Sequence, residues 1–121
     1  MTLSKKKYRY IGIYLSGCLS LNKSAIIEEV SGRYLGLFGS IDYSKANIRI
    51  ITINNIPNTI VILKCRLESL TNTLISLNLI DLKLMVISIS GTLKQLKKKI
   101  LVFLGYISEN QKVLTFNFKD S

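Results

Sequence analysis

Apolar residues along this chain recur with two periods, and the switches between them mark the predicted elements. Residues 8–15 alternate, with Tyr8, Tyr10, Gly12 and Tyr14 on one face and Arg9, Ile11, Ile13 and Leu15 on the other. That is the period-two signature of a strand, with the aliphatic face as its core side. After the turn-rich stretch 17–23, Ile26, Val30, Tyr34 and Leu37 recur at helical spacing. Asn22 or Ser24 can cap this helix, Glu28 and Glu29 complement its dipole, and it is expected to end at Phe38 with Gly39 in a left-handed cap. Gly32 and Gly36 are expected to let a neighbouring element approach closely, where the helix crosses the sheet.

Residues 47–54 and 59–66 are rich in Ile and Val and flank Asn55-Ile56-Pro57-Asn58, which predicts a hairpin. In the second strand Val61, Leu63 and Cys65 share one face, and Ile60, Ile62, Lys64 and Arg66 share the other. Strands apolar on both sides require cover on both sides, here expected from the helices on one face and a partner on the other. A short helix over 67–77 follows, with Leu70, Leu74 and Leu77 in register, and then a strand over 83–89. Ser90-Gly91-Thr92 leads into another helix, whose inward stripe is Leu93, Leu96 and Ile100. Residues 113–118 alternate and predict a further edge strand. The order is βαββαβ, an α+β sandwich with a four-stranded antiparallel sheet, helices on one face and an extra C-terminal helix. The chain reads as one domain, 1–121, with a flexible basic arm at 1–7, the core at 8–90, a basic helix at 91–104 and a tail at 105–121.

Charge sharpens this picture. Seventeen Lys and Arg face seven Asp and Glu, for a net charge of +10, which puts a polyanion first among candidate partners. No acid precedes Glu28, while Lys5, Lys6, Lys7, Arg9 and Lys23 do; none lies between Asp81 and Glu109, where Lys83, Lys94, Lys97, Lys98 and Lys99 fall. Two basic blocks brought together by the fold would focus potential far better than scattered charge. No apolar run approaches the ~20 residues of a spanning helix, and no signal peptide is evident, so the chain is expected to be cytoplasmic and free of membrane. Histidine is absent and Cys18 and Cys65 stand apart, which excludes a His-based catalytic pair and a zinc site; both thiols are expected to be small buried hydrophobes.

The densest chemistry lies at 88–101. Gly91 is expected to supply a turn that other residues resist, and Thr92 can cap the helix. The free N–H groups and dipole at such a helix start suit a phosphate, with Lys94, Lys97 and Lys98 one turn on. The same stretch also reads as an ordinary strand-to-helix connection with a solvated lysine face. Tyr8 and Tyr10 fit either a stacking platform for unpaired bases or a half-buried surface beneath another element or partner.

Together, Tyr8-Arg9-Tyr10 behind a basic leader, Leu37-Phe38-Gly39, and Ser90-Gly91-Thr92 followed by Leu93-Lys94 and Lys97-Lys98-Lys99 resemble the ribonuclease P protein component 2 family of archaea and eukaryotes, over residues 7–101. The resemblance implies an RNA-recognition/ferredoxin-like fold and a non-catalytic subunit that binds and activates the ribonuclease P RNA, which removes the 5′ leader from precursor tRNA. It implies Mg²⁺ at the RNA active site and no cofactor on this chain. Implied partners are component 3, directly and in a four-chain assembly, components 1 and 4, and a kink-turn-binding ribosomal protein. Lys5, Lys6, Lys7, Arg9, Gly91, Thr92, Lys94, Lys97 and Lys98 are the expected RNA contacts, and Tyr8 and Tyr10 are further candidates for RNA or partner contact. Two other readings remain open at this stage: an independent RNA-binding or ribosome-associated module, and an acylphosphatase-like hydrolase on the same scaffold.

Overall fold

The computed structural model describes residues 6–15, 23–54, 56–57, 59–80 and 84–119, with side chains to residue 106. Along the chain run β1 (Tyr8–Leu15), α1 (Lys23–Ala46), β2 (Arg49–Ile51), β3 (Ile60–Arg66), a 3-10 turn (Leu67–Ser69), α2 (Leu70–Asn78), β4 (Leu84–Ser90) and α3 (Leu93–Lys119). The four strands form one antiparallel sheet in the order β2-β3-β1-β4. Each central strand, β1 and β3, is followed by a helix that leads to an edge strand, the expected βαββαβ arrangement.

Register follows from the two-sided pattern. Arg9, Ile11 and Ile13 lie opposite Cys65, Leu63 and Val61, while Tyr10, Gly12 and Tyr14 lie opposite Lys64, Ile62 and Ile60. Ile11, Ile13, Leu15, Val61, Leu63 and Cys65 therefore join Ile26, Val30, Tyr34 and Leu77 in the main core, under α1 and α2. Cys65 is a buried small hydrophobe as expected, and burial pushes its thiol up; Cys18 lies outside the described residues. A bulge between Gly12 and Ile13 in the β1–β4 ladder leaves Ile87 as the extra residue on β4 and twists that edge.

The expected partner on the second sheet face is replaced by α3 of the same chain. Leu96 and Ile100 pack on Ile60 and Ile62, with Tyr10, Tyr14, Leu93 and Phe103 around them. Gly12 explains the closeness of this packing: a Cβ there would stand 3.3 Å from Leu96 Cδ1 and 3.5 Å from Ile100 Cδ1. Tyr14 meets Phe103 edge to face, with ring centroids 5.4 Å apart. The C-terminal helix is thus the lid of a second core, and it runs on through 113–118, where alternation predicts a strand. A continuing helix satisfies its own backbone bonds, so that segment needs no sheet edge.

Gly39 has φ 87° and ψ 167°, a region open essentially to Gly, and it divides α1 into two helical segments. The chain folds back there: the Tyr34 hydroxyl donates to Asp42, eight residues on, and the Tyr43 hydroxyl donates to Ser31 Oγ at 2.9 Å. Both contacts are out of reach in one straight helix. The predicted stop after Phe38 is therefore a corner. Gly32 and Gly36 depart from expectation, since nothing lies within 4 Å of where their Cβ atoms would be. They face outward, opposite Val30 and Tyr34, and mark no crossing of helix and sheet.

Candidate nucleic-acid interface

The β4–α3 junction is built as its sequence implies in one respect and differently in another. Thr92 Oγ1 accepts the Gln95 backbone N–H at 3.2 Å, so Thr92 is the N-cap. Thr and Gln three residues apart also form a capping-box sequence, a signal legible beforehand. Gly91, by contrast, has no positive φ; Gly39 is the described glycine that does. What lies beside Gly91 is the Arg9 guanidinium, 3.4 Å from its Cβ position. Arg9 Nη1 also donates to the Tyr8 carbonyl at 2.8 Å, which fixes the head group against β1. Arg9 from the first basic block thus meets the start of α3, which carries the second.

Register then gathers charges that the sequence holds far apart. Arg49 lies opposite Lys64, Lys64 opposite Tyr10, and Tyr10 opposite Ser90, one row across β2, β3, β1 and β4 on the face that α3 covers lower down. One pair beyond it, Tyr8 lies opposite Arg66. Lys64 Nζ sits 4.3 Å from the Tyr8 ring centroid and 5.7 Å from that of Tyr10, cation–π distances. Arg66 pairs with Glu68, the one ion pair among the described residues. Arg49, Lys64 and Arg66 are absent from the sequence-based candidates. A signal for them existed: Lys64 and Arg66 end an otherwise apolar face of β3, and Arg49 opens β2.

The other expected contacts divide. Lys6 and Lys7 are exposed next to β1, and the Lys7 carbonyl accepts the Leu67 N–H at 2.8 Å, which holds the arm's last residue to the sheet end. Lys5 lies outside the described residues. On α3, Lys94 and Lys98 are exposed and Lys97 is half-buried. Lys98 and Lys99 line a mostly apolar groove of about 530 Å³ between α3 and the β4 edge, with Ile87, Ser88, Val102, Phe103 and Tyr106. Lys97 is two residues from Lys99, about 200° around the helix, and so lies on the opposite flank. The lysine run therefore supplies both flanks and the outer face of α3, with Lys98 and Lys99 on the flank beside β4.

The surface so assembled is cationic, aromatic and rich in free N–H groups at one helix start. Its chemistry is phosphate neutralisation and contact with ring faces. Against this geometry stands the comparison with known proteins: the model of the Rpp14/Pop5 family matches residues 5–101. No curated protein matches the chain.

Proposed function

The chain belongs to the Rpp14/Pop5 family of ribonuclease P protein subunits, and from that premise we propose that it is the component 2 subunit, which binds and shapes the catalytic RNA. The observation that supports this reading is the placement of Arg9, from the first basic block, beside Gly91, just before the helix α3 that carries the second. On this reading Lys94, Lys97 and Lys98 neutralise backbone phosphates, and Gly91 and Thr92 lie where the free N–H groups of the helix start meet another. Lys5, Lys6, Lys7 and Arg9 form a second block of phosphate contacts on this reading. Such contacts position RNA and carry little sequence readout.

The RNA performs the cleavage that removes the 5′ leader of precursor tRNA, and this chain lowers the cost of folding that RNA by offsetting phosphate repulsion. Mg²⁺ on this reading is held by the RNA. Among the described residues no group of three carboxylate, thiol or imidazole side chains could hold a metal ion. Component 3 is the proposed direct protein partner, with components 1 and 4 in the same particle. Exposed apolar residues outside the basic surface, Leu35, Leu37 and Ile41 on α1 among them, offer area for such contacts.

Reconstitution tests the proposal. Adding this chain with component 3 to the RNA is expected to restore precursor-tRNA cleavage at low Mg²⁺. Changing Lys94, Lys97 and Lys98 together to Ala is expected to leave the fold intact and lower the slope of log affinity against log salt by about 2 to 3, at ~0.7–0.9 per phosphate contact. An unchanged slope with unchanged affinity would remove those lysines from the RNA contact.

A further inference from the structure

We propose that the uncovered end of the sheet, the row Arg49–Lys64–Tyr10–Ser90 with Tyr8 and Arg66 beyond it, binds an unpaired stretch of RNA. This rests on the RNA-binding reading above and adds to it a second site, of different selectivity from the lysines of α3. Four observations carry it. The row crosses all four strands, because the pairings Arg49↔Lys64, Tyr10↔Lys64 and Tyr10↔Ser90 are successive neighbours on one face. That face opens beyond Tyr10: α3 packs over Gly12, Tyr14, Ile60 and Ile62 and reaches the half-buried Tyr10, while Tyr8, Lys64 and Arg66 stay outside that cluster and Arg49 is exposed.

Third, the chemistry is paired for nucleotides, with two rings and the Lys64 cation between them, 4.3 Å and 5.7 Å from their centroids. A base has a flat face for a ring and a phosphate for a lysine, and that combination is how unpaired strands are held without sequence readout. Fourth, the two ends of the patch carry polar atoms with no hydrogen-bond partner, Arg66 Nε and Ser90 Oγ, and Ser90 is 5% exposed. Both atoms are buried, so a phosphate or ribose oxygen reaches them only where adjoining side chains move aside. A duplex fits poorly. The row spans about 14 Å, three strand spacings of ~4.8 Å, whereas duplex-reading modules span about 16 base pairs along two minor grooves. The acid at the margin is Glu68, held by Arg66.

The test uses the purified full chain and two probes, an eight-nucleotide oligouridylate and a blunt RNA duplex, titrated by fluorescence anisotropy. The double variant Tyr8→Ala/Lys64→Met is expected to lose about tenfold or more of its affinity for the single strand, the scale of one lost stacking contact. Its duplex affinity is expected to stay within about twofold, because the α3 lysines are intact. Tyr8→Phe keeps the ring and is expected to retain single-strand affinity, which a mere loss of structure would not allow. Thermal melting checks that each variant folds. Unchanged single-strand affinity in a folded double variant overturns the proposal, and so does an equal loss on both probes, which marks a general charge effect. Wild-type protein that binds neither probe overturns the RNA-binding reading itself.

Discussion

Four glycines in this chain fall into three cases, and substitution separates them. Gly12 is confined by a neighbour: its Cβ would crowd the ends of Leu96 and Ile100, so Gly12→Val is expected to cost about 1–3 kcal/mol of overpacking in urea denaturation. Gly39 is confined by its backbone, and Gly39→Ala should cost about 1–3 kcal/mol because φ 87° with ψ 167° is closed to a side chain. Gly32 and Gly36 meet neither limit, so alanine at each is expected to stabilise the isolated chain by about 0.4–1 kcal/mol. Tyr34 shows how a buried polar group behaves here. Burial, then the hydrogen bond to Asp42, pushes its phenol above the ordinary value of 10.0, while Ser69 and Asn72 on the facing elements act the other way. The neutral phenol is the form the fold accommodates, so this contribution is fully present below pH 10.0 and is lost as pH rises through the raised value. Tyr34→Phe, with no proton to lose, should therefore be less stable than wild type at pH 8 and show a flatter decline above pH 10, read from urea midpoints.

Among the elements, α3 carries most of what is distinctive. An amphipathic stripe of Leu93, Leu96 and Ile100 could in principle dock anywhere with an apolar face, and the face available is the one that β1 and β3 present through Gly12, Ile60 and Ile62. Leu96→Ala is expected to cost about 2–5 kcal/mol, since Leu96 is fully buried and its neighbours on the sheet are stiff. Thr92→Ala removes the N-cap and should cost about 1 kcal/mol. The two respond differently in function. Loss of the cap loosens the helix start where phosphate would bind, whereas loss of Leu96 lifts the helix and uncovers the tyrosine face. No helix among the described residues is long and apolar enough to cross a membrane, α3 included.

At the scale of the whole molecule, the sheet separates two kinds of surface. One side is closed by α1 and α2 over the main core; the other is half closed by α3, and its remaining half carries Arg49, Lys64 and Arg66. That asymmetry gives a net charge of +10 a direction, and a directed field speeds encounter with a polyanion as well as holding it. Association with RNA should accordingly slow steeply as salt rises, in stopped-flow traces at 50 and 200 mM, while melting of the free chain should move far less, since its core is apolar and only one ion pair joins described residues.

Element order as far as the start of α3, the two faces of β1 and β3 and the Thr92 cap follow from the sequence alone, because each depends on residues two to four positions apart, where side-chain period and local hydrogen bonding decide the outcome. The break at Gly39 is legible for the same reason, but the helical segment that follows it to Ala46 is not. The second cover on the sheet was legible as a need but not as an answer: periodicity states that Ile60 and Ile62 must be buried, and nothing local names α3 as what buries them. The joining of Arg9 to the α3 start, and of Arg49 to Lys64, Tyr10 and Ser90, belongs to the tertiary structure entirely. It depends on strand order and register, and those are set by long-range packing of the two cores, which brings together residues that no short-range pattern relates.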